Sequence, residues 1–409
     1  MRPLEAARAD VVGAMPLLPA VATPLEESLG LVLTAPAIVP HDLPPFTNSA
    51  MDGFAVRAGD VASTPVELTV LEDVPAGSVA SVVVGEGEAI RIMTGAPMPH
   101  GADAVVRVED TESSNGVVRV LAGVQGGSNV RPAGGDVRAG EVALPPGRRL
   151  TPAMIGVLAS IGVTEPVVRR RPRVAIMSTG DEVLPPDQEL RPGAIRDSNR
   201  PILRGLLTEL GAEVVDLGII GDDADALRGA VARGAAGADA IITSGGVSMG
   251  EYDLVKQVLG ELGSVDFWQV AMQPGKPFAF GHVDGVPLFG LPGNPVSVTV
   301  AFEQFARPAL LTMMGAEAIL RPRIVAVTDQ DLRSDPARTV FLRAATSREG
   351  DGWRVRLSGG QLSNMLSAVA AGDAFVVMPR GVGDVASGSS VTVEMFRWPE
   401  NRPFDEEVA

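Results

Sequence analysis

Three short glycine-bearing loops lie between residues 240 and 297, each behind an apolar, strand-like run. They read Ser244-Gly245-Gly246-Val247-Ser248, Gln273-Pro274-Gly275-Lys276-Pro277 and Leu291-Pro292-Gly293-Asn294-Pro295, the last running on into Val296-Ser297. Helix-like sequence follows the first and the third. Glycine turns and helix starts leave backbone N–H groups exposed, and such groups attract anions. The chemistry these residue types suit is the holding of a phosphorylated or otherwise anionic ligand. Ser244, Gly245, Gly246 and Ser248 supply hydroxyls and amide donors without side-chain bulk. Pro292, Gly293, Asn294 and Ser297 stand at a helix start. Lys276 supplies a point charge, its placement stiffened by Pro277. The 34 basic residues include only two lysines, Lys256 and Lys276. Codon bias accounts for most of that imbalance. A compact ammonium, however, cannot be copied by a guanidinium fork in a tight site. Lys256 falls in a helical run and reads as a solvated face. The pattern is not a P-loop, because proline rather than Ser or Thr follows the lysine and the glycines are spaced differently.

Carboxylates accompany these loops. Ser178-Thr179-Gly180-Asp181-Glu182 follows one apolar run, Asp222-Asp223 follows another, and Glu251 and Asp253 follow the Gly245-Gly246 turn. Magnesium is typically held by one or two carboxylates together with substrate phosphate. The competing reading is helix capping, since Asp222, Asp223 and Asp253 each stand where a helix dipole favours negative charge. Two look-alikes carry less weight. Residues 381–386 spell a loose dinucleotide pattern but lead into a strand rather than a helix. Ser248 sits in a Gly-Val-Ser-Met-Gly setting like a nucleophile elbow. The candidate bases for it, His41, His100 and His282, are scattered along the chain.

Positioning these loops on one edge calls for a parallel sheet, whose ligands bind at the carboxyl ends of its strands. Apolar runs at 174–177, 213–217, 240–243, 266–270 and 286–289 alternate with helical patterns at 198–210, 223–233, 252–262 and 295–313. Alternation of this kind specifies a doubly wound, mostly parallel α/β domain. Asp197-Ser198 caps the first of those helices and Gly211 closes it. Residues 1–33 read as two helical pieces, the second opening at Thr23-Pro24 and ending near Gly30. Valine runs at 66–71, 79–84, 104–108 and 117–121 read as an inserted β domain, and Thr151-Pro152 starts a helix over 150–161. Runs at 324–327, 340–344, 353–357, 374–378 and 391–395 read as a C-terminal β-barrel-like domain. The expected division is a discontinuous helical and linker domain (1–43 and 139–169), the inserted β domain (44–138), the α/β domain (170–320) and the C-terminal β domain (321–409).

Composition bounds the rest. A chain of 409 residues exceeds what one core usually serves, so about two to four domains are expected. A net charge of −16 argues against a broad nucleic-acid surface. With no cysteine, disulfides, thiolate zinc sites and cysteine nucleophiles are excluded. No apolar run reaches the roughly 20 residues that span a bilayer, and no signal pattern opens the chain. A cytoplasmic protein without nucleic-acid or membrane partners is expected.

Six segments taken together resemble a known family. Asn48-Ser-Ala-Met-Asp-Gly-Phe-Ala-Val-Arg57, Arg91-Ile-Met-Thr-Gly-Ala-Pro97, Ser178-Thr-Gly-Asp-Glu182, Thr243-Ser-Gly-Gly-Val-Ser248, Gln273-Pro-Gly-Lys-Pro-Phe278 and Leu291-Pro-Gly-Asn-Pro-Val-Ser297 are similar to the molybdopterin molybdenumtransferases. This is the MoeA family, related to the E domain of gephyrin. The match runs in order over nearly the whole chain. The α/β part alone is also similar to the adenylyltransferase of the same pathway.

The resemblance implies an elongated four-domain homodimer that inserts molybdate into adenylylated molybdopterin, releasing AMP and the finished cofactor with magnesium support. It implies molybdopterin adenylyltransferase and molybdoenzyme apoproteins or chaperones as partners. Position by position, Asp52, Thr94, Glu182, Asp222 and Asp253 match its functional acids and threonine, and Lys276 and Ser297 match its molybdate-side groups. Arg343 and Ser363 match more loosely, and Ser363 also reads as the cap of a short helix to Ala371. Glu182, Asp222 and Asp253 form the implied magnesium set. Asp52 and Thr94 are implied to complete the site from the other subunit. Many members carry lysines where this chain has Gln269 and Gln273, so the resemblance leaves Lys276 with more of the electrostatics. A binding module that keeps the pocket without turnover, and a tungsten enzyme, are the competing readings.

Overall fold

The structure, a computed structural model, describes residues 1–246 and 254–398. Its chain divides into two compact units. One comprises Met1–Thr34, Gly147–Thr151 and the chain from Glu165 onward, and the other Ala35–Pro146 and Pro152–Thr164. No helix among the described residues is long and apolar enough to cross a membrane.

The first unit is built on a six-stranded sheet. Its strands are β1 (Arg173–Thr179), β2 (Glu213–Ile220), β3 (Ala240–Ser244), β4 (Gly263–Gln269), β5 (Pro277–Val283) and β6 (Val286–Leu291), in spatial order β2-β1-β3-β6-β5-β4. β1 pairs in parallel with β2 and β3, and β3 with β6, while β5 runs antiparallel to both β4 and β6. β3 is buried along its whole length, as expected of a parallel strand covered on both faces. Ile241 and Leu288 pack with Leu227, Val231, Val258 and Leu259 of the helices Ala224–Gly237 and Leu254–Leu262. Register decides the geometry of the site. Ser178 pairs with Ser244, and Ser244 with Leu291, so three of the expected loops leave the sheet side by side.

The reversed strand β5 departs from the expectation of a loop over Gln273–Phe278 with no strand after it. Asp284 (φ 50°) and Gly285 (φ 81°) form the two-residue connection to β6. Positive φ at both positions is what a tight hairpin requires.

The helical pattern at 295–313 also divides. It forms Pro295–Ala301 and Arg307–Met313 around a π-helical turn, Phe302–Ala306. Pro308 is the physical reason. Its nitrogen cannot donate to the Gln304 carbonyl, and its ring would strike that carbonyl in a regular helix. The widened turn frees the Gln304 carbonyl, which accepts instead from Arg8 Nε at 3.0 Å. The N-terminal helix Leu4–Gly13, which carries Arg8, is thereby anchored.

The second N-terminal helix does not form. Leu25–Glu27 makes one 3₁₀ turn with no side-chain cap, and Ala20–Ala22 and Val32–Leu33 flank Val167–Arg169 in a small sheet. Leu31, Val32 and Leu33 are buried there, and that burial outweighs a weak local helix preference. Ser198 makes no capping bond; Asp197 Oδ1 accepts from the Arg200 N–H at 3.1 Å instead. Gly211, at φ 89°, closes that helix as expected.

The C-terminal strands Arg323–Thr328, Thr339–Glu349, Gly352–Leu357, Ala374–Met378 and Ser390–Met395 close into a five-stranded barrel, because Thr339–Glu349 pairs with Ala374–Met378 as well as with Gly352–Leu357. Leu342, Val355, Val376 and Val393 fill it. The two-residue strand Met272–Gln273, just before Lys276, pairs in parallel with Thr339–Val340. The lysine loop is thus stitched to the barrel.

The second unit holds a six-stranded sheet of Ala104–Arg107, Gly53–Val56, Glu88–Ile92, Val66–Val74, Val117–Val120 and Thr111–Ser114, in that order. The expected strand at 79–84 is absent, and Glu88–Ile92 takes the place beside Val66–Val74. Val79, Val82 and Val83 are exposed. The helix Pro152–Ser160 begins behind Thr151-Pro152 as the sequence predicts.

Candidate functional site

A cleft of about 1010 Å³ opens at the carboxyl ends of β1, β3 and β6. Ser178 and Thr179 enter it from the end of β1, Gly180 and Glu182 from the loop that follows, and Asp222 from the loop after β2. Ser244 ends β3 and Gly245 and Gly246 follow it, Lys276 precedes β5, and Pro292, Gly293, Asn294 and Ser297 follow β6. Ser363 comes from the barrel. Gln273 lines the cleft as well, whereas Gln269 lies at the end of β4 outside the lining. Ser248 and Asp253, two residues expected here, lie outside the described residues.

The floor is tightly built. Gly245 (φ 94°) and Gly246 (φ 65°) adopt backbone conformations that side chains resist. A Cβ on Gly246 would stand 2.1 Å from Val255 Cγ2. Ser178 Oγ donates to Asp197 Oδ1 at 3.0 Å and lies 3.2 Å from Ser244 Oγ. Asp197 is buried and paired with Arg200 Nε at 3.2 Å, and Arg200 continues to Asp216 at 3.1 Å. The serine hydroxyls are therefore held from behind by a buried acid. Asn199 Nδ2 donates to the Gly293 carbonyl at 2.7 Å, joining the loops after β1 and β6. Asp197 and Asn199 were missed as lining residues. The signal was available, since a polar Asp-Ser-Asn run opens a helix after the β1 loop.

The two adjacent acids after β2 behave differently. Asp223 Oδ1 accepts from the Ala226 N–H at 2.7 Å, so it caps the Ala224–Gly237 helix. Asp222 donates only its backbone N–H, to Asp181 Oδ1 at 2.9 Å, and its carboxylate stays exposed at the cleft edge. Among the described residues no three His, Asp or Glu side chains converge on one point. Glu182 and Asp222 are two oxygen donors of the hard type that suits magnesium, which needs no more than that beside substrate oxygens.

Arg343 corrects an expectation. Its guanidinium turns away from the cleft into the protein, donating to the carbonyls of Phe341, Gly360 and Leu362 at 3.3 Å each. It is 1% exposed, and burial pushes its pKa down to about 10. Its place is behind the barrel loop that presents Ser363. Ser363 itself caps no helix, since its Oγ accepts from Asn294 Nδ2 at 2.9 Å and its carbonyl from the Val296 N–H at 3.3 Å.

Asp52 and Thr94 belong to the second unit, where they meet each other. Thr94 donates to Asp52 Oδ1 from both its backbone N–H and its hydroxyl, each at 2.7 Å. These two bonds, backbone first, hold the Asp52 carboxyl below its ordinary value, with a smaller contribution from Arg91. Thr94→Val removes one of them, so the Asp52 pKa is expected to rise toward the ordinary carboxylate range, read by carbon-detected NMR titration. A group with a depressed folded pKa stabilises the fold above its unfolded pKa and loses that contribution as pH falls through the folded value. The wild-type protein therefore keeps this contribution to a lower pH than the variant. Identical titration curves would show the hydroxyl bond to be without effect.

Comparison with known proteins follows this geometry closely. Residues 2–162 match the MoeA N-terminal region (domain I and II), residues 175–312 a probable molybdopterin binding domain, and residues 325–396 the MoeA C-terminal region (domain IV). The chain is 40% identical over 383 residues to molybdopterin molybdenumtransferase 2 of Mycobacterium tuberculosis, covering 91% of this chain and 94% of that protein. It is 37% identical over 375 residues to the molybdopterin molybdenumtransferase of Haemophilus influenzae, covering 91% and 93%. A crystal structure of the molybdopterin biosynthesis MoeA protein of Pyrococcus horikoshii superposes with a TM-score of 0.77 at 34% identity, over 97% of this chain and 99% of that one. The lining residues of the cleft fall within the second and third of these matched regions, and the chain belongs to the MoeA family of molybdopterin molybdenumtransferases.

Proposed function

We propose that this chain inserts molybdenum from molybdate into adenylylated molybdopterin, releasing AMP, and that it works as a magnesium-dependent homodimer. The observation that carries the reading is the register of Ser178, Ser244 and Leu291, which gathers amide donors, two carboxylates and Lys276 around one cleft. In this reading the Gly245-Gly246 turn and the amides before Pro295 hold substrate phosphate. Lys276 and Ser297 hold the molybdate oxygens, one by charge and the other by hydrogen bonding. Glu182 and Asp222 would hold the magnesium ion, which when bound would polarise the pyrophosphate for hydrolysis. Asp197 keeps the Ser178 hydroxyl oriented through the bond it accepts.

The test is a single-turnover experiment with purified protein, adenylylated molybdopterin, magnesium and molybdate. AMP release and the appearance of molybdenum-loaded pterin are followed together. The expected result is stoichiometric AMP that depends on molybdate and on magnesium. Substrate bound with no AMP released would leave a binding module in place of a transferase. Tungstate replacing molybdate in the same assay measures metal preference.

A further inference from the structure

The cleft is short of positive charge where the lysine loop meets it, because Gln273 there can donate hydrogen bonds but carries no charge. Among the described residues three basic side chains line the cleft: Arg196, Lys276 and Arg338. Arg196 is occupied, donating to the carbonyls of Pro186 at 3.0 Å and Gln188 at 3.3 Å. Arg343, the arginine that sequence reasoning favoured, is committed to three carbonyls.

Arg338 differs from both. It immediately precedes the barrel strand Thr339–Glu349, whose first two residues pair with Met272 and Gln273. The Thr339 N–H donates to the Ala271 carbonyl at 2.9 Å. Arg338 is thus held at the same junction as Gln273, on the barrel side of it. Its only side-chain partner among the described residues is Asp335, at 3.2 Å from Nε. That contact lacks hydrogen-bond geometry, and Nε is buried without a hydrogen bond. Asp335 is itself engaged by the Ala337 N–H at 2.9 Å. The outer guanidinium nitrogens, the pair that grips an oxyanion in a fork, are uncommitted among the described residues.

We propose that Arg338 is a binding residue for a tetrahedral oxyanion in this cleft, supplying from the barrel edge the charge that Gln273 does not. The proposal rests on the reading of the cleft as an oxyanion-handling site. It places the second cation on a different element from Lys276, so the oxyanion lies between the α/β sheet and the barrel strand.

Equilibrium dialysis of the full chain with molybdate alone, and separately with inorganic phosphate alone, tests it without turnover. Arg338→Gln is expected to weaken binding of at least one anion by about 10-fold or more, the scale of a charge-assisted hydrogen bond. Arg338→Lys should recover part of the loss. Gln273→Lys added to Arg338→Gln should also recover part, a rescue that a merely structural arginine would not allow. Loss confined to molybdate assigns the oxyanion to the metal donor, and loss of phosphate binding assigns it to the phosphate of the pterin substrate. Unchanged affinity for both anions in Arg338→Gln overturns the proposal. So does a loss that neither lysine recovers, or a wild-type protein that holds neither anion. Failure of wild-type AMP release would strike the transferase reading alone, because dialysis reads the anion directly.

Discussion

Asp222→Ala is expected to slow AMP release by about 10²–10³-fold, the scale seen when one preorganised charge-stabilising group is removed, with stability unchanged to within about 0.5 kcal/mol. The two halves of that expectation have one cause. The Asp222 carboxylate has no protein partner among the described residues that its removal would strand. Its structural bond is made by the backbone N–H to Asp181, which alanine keeps. The adjacent Asp223 gives the opposite result. Its carboxylate caps the Ala224–Gly237 helix, so Asp223→Ala should cost about 1 kcal/mol of stability and change turnover far less. Single-turnover AMP release and urea unfolding on the two variants separate a metal or phosphate role from a capping role. If Asp222→Ala unfolded early and Asp223→Ala lost turnover, the assignment of the two acids would be reversed. Asp222→Asn is the stricter variant, since it keeps size and one oxygen while removing charge.

The neighbouring acids illustrate what could be read from the chain before its structure. Spacing placed both at the end of one strand and the start of one helix, and either reading was open. Only the hydrogen bond to Ala226 decides which one caps. The same division runs through the fold. β1, β2, β3 and β6 were legible because strands of a mostly parallel sheet are covered by helices and read as continuous apolar runs. The loops behind them were legible because glycine and proline punctuate them. β5 was not, because Lys276-Pro277 reads as a turn, although Asp284-Gly285 carries a hairpin signal. The run at 79–84 misled in the other direction: β-prone residues make a strand only where a partner edge is free, and Glu88–Ile92 holds that edge. In the site, residue type chose Lys276 and the glycine turns correctly as cleft residues. Arg343 was named from the resemblance alone, and residue type does not separate it from Arg338. An odd separation of five residues puts two side chains on opposite faces of an extended chain, and which face meets the cleft depends on how the barrel strand docks against Met272–Gln273.

Glu303→Ala is expected to lower stability by about 3–5 kcal/mol, the cost of stranding buried charge. Pro308 imposes the π-helical turn on the helix that starts at the cleft with Asn294 and Ser297. That turn carries Glu303 and Gln304 into the interior, and the Glu303 side chain is 2% exposed. Arg321 grips its two oxygens at 2.8 and 2.9 Å, and Arg307 stands 3.7 Å away. Burial, followed by repulsion from Arg321, lowers the pKa of Arg307 to about 10, and Glu303 opposes that fall. Without the carboxylate two largely buried guanidinium groups would face each other with only the weaker attraction of Glu394, and of Glu209 on Arg321, to offset their repulsion. Next to them Gln304 donates to Glu394 at 2.6 Å, and Glu394 accepts from Arg323 Nε at 3.0 Å. The disturbance therefore reaches the barrel. Glu303→Gln should cost nearly as much as alanine, since shape is kept and charge is lost. Glu303→Leu combined with Arg321→Met should recover a large part, because a buried pair replaced together by apolar groups is often close to neutral. Urea midpoints of the three variants check the order. A loss below about 1 kcal/mol in Glu303→Ala, the range of an exposed pair, would mean that water reaches these arginines and that the π turn is held by the Arg8 bond to Gln304 alone.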